Sequence, residues 1–210
     1  MGNVLVRFSA DGLNDGPENM RRDVELLHQA EAGVASCRVY EWSGPWVSLG
    51  RFQNPLDAVA PGFKRVVQRP TGGKAVLHGH DITVALAFRF EGRSVGLAYL
   101  RALHPVLDAL AMCGVFAMTA GADSPAPDTS ECFASASRYD IVDSAHGFKI
   151  AGAAMRVTKT ALLLQVSIPY KPPLMSPNEA IQGARIGAVL RWNPSNFPDA
   201  LAHFLNRTER

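Results

Sequence analysis

The spacing of the apolar residues changes in the middle of the chain, and this change indicates the class of fold. Residues 81–90 alternate between apolar and polar or small side chains, which is typical of a half-buried strand. Residues 94–113 then carry apolar side chains at helical spacing, and this predicts a long core helix that ends at Gly114. Pro105 lies inside that helix and predicts a kink or a break.

The remaining elements follow the same two periods. A first helix is predicted over residues 20–32, capped by Asn19, and a last helix over residues 194–207. The predicted strands are residues 37–42, 46–50, 64–68, 139–142, 148–157 and 161–168. The segment 46–50 is expected to be the hairpin partner of 37–42, and the last two strands form a second hairpin. The order helix, strands, long helix, strands, helix predicts an α+β fold with a mostly antiparallel sheet.

Length, charge and cysteine content exclude several classes of protein. The 210 residues predict a single domain over residues 1–210, and the net charge of +2 is too balanced for a general nucleic-acid binder. No apolar run approaches the roughly 18 residues of a membrane span, and the charged start does not resemble a signal peptide. Three widely spaced cysteines without a CxxC pair predict no metal site and fit a reducing, cytoplasmic location.

A glycine-containing segment, residues 69–78 (RPTGGKAVLH), is the first candidate site. Gly72 and Gly73 let the chain turn without Cβ atoms and bring backbone N–H groups close to a ligand. Arg69 and Lys74 flank them as partners for an anion. The same residues suit a hairpin corner with two solvated basic side chains. The segment alone leaves both interpretations open.

Lys149 is the second candidate, because it lies in a strand of otherwise apolar and small residues. It either lies on the solvent face or reaches into a cleft, since lysine is seldom buried without a partner. The small residues that follow, among them Gly152 and Ala153, leave room for a flat group to pack against the sheet.

Cys132 is the third candidate, at the end of a long loop predicted over residues 119–131. Cys37 and Cys113 lie in periodic apolar patterns and are interpreted as small buried hydrophobic residues. Cys132 instead precedes a run of small residues. A thiolate nucleophile needs partial exposure and a nearby cation, and Lys149 is such a cation if its strand returns beside the loop.

Together and in this order, these segments resemble the biotin/lipoate A/B protein ligase family, over roughly residues 19–168. The similar residues are Asn19, Met20 and Asp23, then 47–55 (VSLGRFQNP), 69–78 and 149–154 (KIAGAA). The resemblance implies an α+β fold with a larger, mostly antiparallel sheet and a smaller sheet, flanked by helices. It also implies an acyl tunnel between the glycine segment and the lysine strand.

The resemblance also implies roles for individual residues. Lys149 matches the lysine that contacts the acyl carbonyl or acyl phosphate, and Cys132 and Lys149 are the implied catalytic residues. The implied substrate-binding residues are Arg69, Thr71, Gly72, Gly73, Lys74, Ala75, Val76, Leu77, His78, Gly152 and Ala153. Val76 and Leu77 are expected to line the tunnel.

The resemblance leaves the activity open among three alternatives. Residues 132–139 (CFASASRY) are similar to the cysteine segment of the Gram-positive-type octanoyltransferases. That similarity implies octanoyl transfer from acyl carrier protein to a lysine of a lipoyl domain, without a cofactor. A lipoate–protein ligase would need ATP and Mg²⁺, and such ligases often carry a C-terminal domain for which this chain is too short. A non-catalytic acyl-binding relative is the third alternative.

Two departures from the family pattern bear on this choice. Relatives usually have a His-Gly pair after a Gln or His, whereas here Gln165 is followed by Val166 and Ser167. Lys74 stands where many ligases have a third glycine.

Overall fold

The computed structural model describes residues 5–92, 94–121, 138–184 and 189–206. In chain order its elements are β1 Arg7–Asn14, α1 Gly16–Glu31, β2 Ser36–Trp42, β3 Trp46–Leu49, α2 Pro55–Ala58, β4 Val66–Gln68, β5 Val76–His78, β6 Asp81–Arg89, α3 Val95–Met112, β7 Ala117–Thr119, β8 Ile141–Asp143, β9 Lys149–Val157, β10 Ala161–Pro169 and α4 Phe197–Leu205, with a 3-10 helix at Pro177–Glu179.

Two sheets form the framework, as predicted. The larger sheet has seven strands in the order β1-β2-β6-β10-β9-β8-β7, and only its β1–β2 pair is parallel among the described strands. The smaller sheet has the order β4-β3-β5, in which β3 runs parallel to β4 and antiparallel to β5. The α+β class with a mostly antiparallel larger sheet is therefore confirmed.

Strand β6 is buried on both faces, whereas its alternation predicted burial on one. Its larger apolar side chains, such as Leu86, pack with α3 and α4 in the main core. Its small residues Ala85 and Ala87 pack beneath α1 together with Leu27. Because these alanines let the helix approach closely, the face that looked solvent-exposed in the sequence is covered.

The hairpin predicted between residues 37–42 and 46–50 is wrong. Strand β3 begins at Trp46, but it pairs with β4 and β5 in the smaller sheet. Both edges of β2 are already paired with β1 and β6 in the larger sheet, so β3 cannot join it. The turn at Gly44, with φ +92°, thus takes the chain from one sheet to the other.

The helices begin and end close to the predicted positions, with one informative difference. Helix α1 begins at Gly16, because the Asp15 carboxylate accepts a hydrogen bond from the Glu18 N–H and caps it. Asn19, the predicted cap, is buried inside the helix, where its side chain contacts Arg38.

Helix α3 continues unbroken through Pro105. It is long and apolar enough to span a membrane by length and composition. In the fold, Leu103, Val106 and Leu110 are fully buried against the larger sheet and α4, so it packs as a core helix.

Candidate active site

A cavity of about 240 Å³ lies between the larger sheet and the smaller one. Its floor is a row of four residues that face one another across the larger sheet: Gly152 on β9, Ser167 on β10, Thr83 on β6 and Tyr40 on β2. Neighbouring strands lie about 4.8 Å apart, so the row spans about 14 Å between backbones. The cavity therefore runs across the sheet and has a β9 end and a β2 end.

The glycine segment covers this cavity, and hydrogen bonds from Arg69 hold it in place. The Arg69 guanidinium donates from Nη2 to the carbonyl oxygens of Gly72 (2.8 Å) and Lys74 (2.7 Å) and from Nη1 to the Ser48 carbonyl (2.8 Å). Such a planar fork of donors suits several fixed acceptors at once. Arg69 thus holds the loop in shape, although it also lines the cavity.

Two glycines are required by the geometry of this loop, and one of them was not predicted. Gly73 has φ +88°, a left-handed conformation that side chains disfavour. A Cβ on Gly50 would lie 1.9 Å from the Gly73 carbonyl oxygen, so the two backbones are in direct contact. By contrast, a Cβ on Gly72 would meet no atom within 4 Å. The sequence signal for Gly50 was its place in the VSLGRFQNP segment.

A β-bulge turns Lys149 toward the cavity. Strict alternation along β9 would put Lys149 on the face opposite Gly152 and Ala154. On β8, however, Ile141 pairs with Ala151 while the next residue pairs with Lys149, so Ile150 is an extra residue in β9. Lys149 consequently lines the cavity with Gly152 and Ala154.

The Lys149 ammonium is held by a carboxylate at the β9 end. Its Nζ donates to Asp140 Oδ2 at 2.7 Å, and both side chains are buried. The other oxygen of Asp140 accepts a hydrogen bond from the Ala153 N–H. A fixed, buried cation interacts strongly with negative charge that develops nearby.

An indole ring, an imidazole ring and side-chain hydroxyl groups line the β2 end of the cavity. His78 Nδ1 lies 2.7 Å from Asp81 Oδ2, and His78 Nε2 lies 2.7 Å from Ser48 Oγ. The imidazole stacks on Trp42, with ring centroids 3.9 Å apart. Burial alone would raise the pKa of Asp81, but His78 and a hydrogen bond from Ser167 hold that pKa below its ordinary value.

A buried polar network beside the cavity links the loop to α1. The Thr71 hydroxyl donates to Gln165 Oε1, and Gln165 Nε2 donates to Asp23 Oδ2. Asp23 also accepts from Arg38 and from the Tyr40 hydroxyl, both at 2.7 Å. Burial raises the pKa of Asp23 even though Arg38 and Tyr40 favour its charged form. The sequence did not predict that Gln165 would connect these residues.

The cavity brings together eight of the predicted site residues: Arg69, Gly73, Lys74, Val76, His78, Lys149, Gly152 and Ala153. Thr71 is buried beside it as part of the polar network, and Gly72 offers its carbonyl to Arg69.

Ala75 and Leu77 lie away from the cavity, in the core of the smaller sheet with Val47 and Ile181. The prediction that Leu77 lines the tunnel is therefore corrected. The side chains of β5 alternate, so Val76 faces the cavity and Leu77 faces the opposite way.

Cys132 lies outside the described residues. Of the other two cysteines, Cys37 is fully buried in the main core and Cys113 is half-buried at the end of α3. Burial raises the pKa of both thiols. Neither lines the cavity, and both fit the interpretation of inert core residues.

The two-sheet fold and its cavity between a glycine loop and a buried lysine define a catalytic domain of the lipoyl-ligase class. Residues 15–194 match the lipoyl protein ligase A/B catalytic domain, and the chain belongs to that family.

Among its curated relatives, octanoyltransferase LipM of Symbiobacterium thermophilum is 30% identical over 216 residues, which cover 93% of this chain and 78% of the relative. Octanoyltransferase LipM of Lysinibacillus sphaericus is 32% identical over 163 residues, which cover 69% of this chain but only 58% of the relative. The chain therefore covers less than two thirds of the length of some of these relatives.

Among solved structures, a T. acidophilum protein assigned as a lipoate protein ligase, with bound lipoic acid, has the same fold. Its TM-score is 0.75 at 17% identity, over 94% of this chain and 83% of that one.

Proposed function

We propose that this protein is an octanoyltransferase that moves an octanoyl group from acyl carrier protein to a lysine of a lipoyl domain. The observation that carries the proposal is the Lys149 ammonium, held by Asp140 at one end of a buried cavity beneath the glycine loop. The similarity to curated octanoyltransferases supports the choice of reaction.

The cavity suits a saturated chain of this length. With carbon–carbon bonds of about 1.5 Å, an extended eight-carbon chain spans roughly 9 Å, which fits along a floor of about 14 Å. Burying about seven methylene or methyl groups contributes roughly 0.8 kcal/mol each. The acyl carbonyl would lie at the β9 end near Lys149, and the tail would point toward Trp42 and Tyr40.

In the first half-reaction, the Cys132 thiolate attacks the thioester carbonyl of the donor. A new carbon–sulfur bond forms to Cys132, the bond to the donor sulfur breaks, and the donor leaves as a thiolate that takes a proton from water. Lys149 would stabilise the oxyanion of the tetrahedral intermediate. Splitting the transfer into two steps in this way is covalent catalysis.

In the second half-reaction, the neutral amine of the acceptor lysine attacks the acyl-enzyme. An amide bond forms, the bond to Cys132 breaks, and the proton lost by the amine returns the cysteine to its thiol form. No cofactor takes part in either step.

A second candidate function is ATP-dependent lipoate–protein ligation, which Lys74 favours. Its place beside the glycine loop and in the cavity lining suits the phosphate of an acyl-adenylate. That reaction would consume ATP with Mg²⁺ and release pyrophosphate when lipoate or octanoate is supplied. Absence of pyrophosphate with both acids excludes it for those substrates, and any turnover excludes a non-catalytic acyl-binding protein.

The deciding experiment is intact-mass measurement after incubation with octanoyl acyl carrier protein. The wild type should gain the mass of one octanoyl group, Cys132→Ala should gain none, and the matched control Cys113→Ala should behave as wild type. An octanoyl adduct that persists in Cys132→Ala, or a wild type that gains nothing, contradicts the proposed mechanism.

A further inference from the structure

The glycine segment and β9 form the rim of the cavity. Among the described residues that line the cavity, all are buried except Gly73, Lys74, Ala153 and Ala154, and these four are called the rim. A Cβ on Gly73 would lie 3.7 Å from the Ala154 Cβ, so the segment and the strand meet there. A partner that delivers or receives an acyl group must therefore approach the rim.

A tight turn over residues 50–53 lies directly beside the rim and carries an exposed apolar side chain. Phe52 is 87% exposed and Leu56, on the helix that follows, is 82% exposed. These are the two largest fractions among the large hydrophobic residues that the structure describes. The Gly50 backbone lies against the Gly73 carbonyl, so the turn and the rim are in contact.

Hydrogen bonds hold this turn in one shape. Gln68 Nε2 donates to the carbonyl oxygens of Arg51 at 2.9 Å and Gln53 at 3.3 Å. The Arg51 N–H donates to the Thr71 carbonyl at 2.8 Å. The ring of Phe52 thus stays in water on a backbone that is already fixed. Such a side chain is typical of an anchor for a binding partner, because little conformational entropy is lost when it binds.

The charged side chains around the rim are mostly basic. Lys74 belongs to the rim, Arg51 is exposed on the turn, and Arg156 follows Ala154 by two residues and so lies on the same face of β9. Neither Arg51 nor Arg156 forms an ion pair among the described residues. Asp57, on α2, is the acidic residue nearest to the turn in the sequence, which leaves an excess of positive charge. A partner is therefore expected to present acidic groups around an apolar pocket.

Reach indicates which partner occupies this surface. The acceptor in the proposed reaction is a lysine side chain, whose amine extends only about 6 Å from its Cα. The domain that carries this lysine must touch the rim before the amine can enter the cavity. An acyl carrier protein presents its thioester on a longer prosthetic arm and can bind farther from the rim. The position of the turn therefore favours the acceptor domain.

We propose that Arg51, Phe52 and Leu56 form a docking surface for an acidic acceptor domain, and that the Phe52 ring inserts into an apolar pocket beside the acceptor lysine. This proposal rests on the acyl-transfer function proposed above and names the surface at which its acceptor binds. None of the three residues lines the cavity, so docking and acyl chemistry can be measured separately.

The probe is an unmodified, isotopically labelled lipoyl domain, whose NMR signals are followed as the full chain is added without an acyl donor. Phe52→Ala should weaken the affinity about tenfold. Phe116→Ala is the matched control, because Phe116 is 68% exposed beside β7, at the far edge of the larger sheet. It should bind as the wild type does. Both variants should unfold near the wild-type temperature, since both side chains are exposed.

Arg51→Glu tests the charge of the docking surface. It should weaken the affinity about tenfold at low salt, and the difference from the wild type should shrink as salt is added. Arg7→Glu is the matched control, because Arg7 is exposed on β1, at the opposite edge of the larger sheet from β7. It should leave the affinity unchanged.

Three results overturn the docking surface. The first is a wild type that shifts no signal of the lipoyl domain, and the second is a Phe52→Ala variant with wild-type affinity. The third is slower acylation by octanoyl acyl carrier protein in Phe52→Ala with unchanged affinity for the lipoyl domain, which would assign the surface to the donor. If Phe52→Ala loses affinity for the lipoyl domain but the wild type forms no acyl-enzyme on Cys132, the docking surface is supported and the proposed transferase mechanism is not.

Discussion

Lys149 and Asp140 form an ion pair with 2.7 Å between Nζ and Oδ2, and both side chains are more than nine-tenths buried. Lysine is rarely placed so deep without a functional reason, because removing two charges from water costs free energy that the pair only partly recovers. The pair fixes the position of the ammonium at the β9 end of the cavity, where the proposed mechanism needs a cation.

Replacing Lys149 separates its structural role from its chemical one. Lys149→Met should lower the free energy of unfolding by about 3–5 kcal/mol, since the Asp140 carboxylate is left buried without its ammonium. Acyl-enzyme formation should fall at least a hundredfold. Urea unfolding and single-turnover acylation measure the two effects.

The double variant Lys149→Met/Asp140→Asn is the control for this experiment. It should recover most of the lost stability, because no charge is left unpaired, and it should remain inactive. Recovery of acylation in the double variant would show that the ammonium has no chemical role.

Substitution by alanine should destabilise the protein at Gly50 but have little effect on its stability at Gly72. Gly50→Ala puts a Cβ 1.9 Å from the Gly73 carbonyl oxygen and should cost about 1–3 kcal/mol through overpacking. It should also raise KM for the acyl donor, because the loop is displaced. Gly72→Ala has open space around its Cβ and should leave the thermal unfolding temperature nearly unchanged. Equal destabilisation by both variants would contradict this account of the loop.

The hydroxyl of Thr71 should matter more than its methyl group. Thr71→Val keeps the volume but leaves Gln165 Oε1 without its donor, which should cost about 1–3 kcal/mol. Thr71→Ser restores the donor and should recover most of the stability. The denaturant midpoints of the wild type, Thr71→Val and Thr71→Ser measure these differences. If Thr71→Ser is as unstable as Thr71→Val, the effect comes from packing and not from the hydrogen bond.

The lowered pKa of Asp81 predicts that the folded protein loses stability in acid. Its pKa is lower in the folded protein than its ordinary value of 3.8, so folding favours the charged form. This contribution is complete above the unfolded-state pKa and is lost as the pH falls through the lowered folded-state pKa. In Asp81→Asn, the free energy of unfolding should be lower near neutral pH and should fall less between pH 5 and 2, which are about the limits of carboxylate titration.

The sequence predicted those parts of the fold that depend on local periodicity. Helix α3 and strands β6, β9 and β10 lie where apolar spacing placed them. The sheet to which β3 belongs could not be predicted, because pairing depends on which strand edges are already occupied. Strand β1 was missed, since its sequence RFSADGLN has little β-branched or alternating character.

The sequence also predicted which residues of three separate segments lie near one another. Residue types and family resemblance placed Arg69, Gly73 and Lys149 in one group, and the cavity contains all three. The links of Gln165 to Thr71 and Asp23 join residues that are far apart in the sequence. Contacts of that kind arise from tertiary packing and leave no local pattern.

The extra residue at Ile150 makes the cavity sensitive to how β9 pairs with β8 as well as to the composition of β9. Without this bulge every side chain of the proposed site would still be present, yet regular pleating would direct the Lys149 ammonium into the α3 side of the sheet. Homologues with the same lysine three residues before the glycine therefore need the same bulge to keep the ammonium in the cavity.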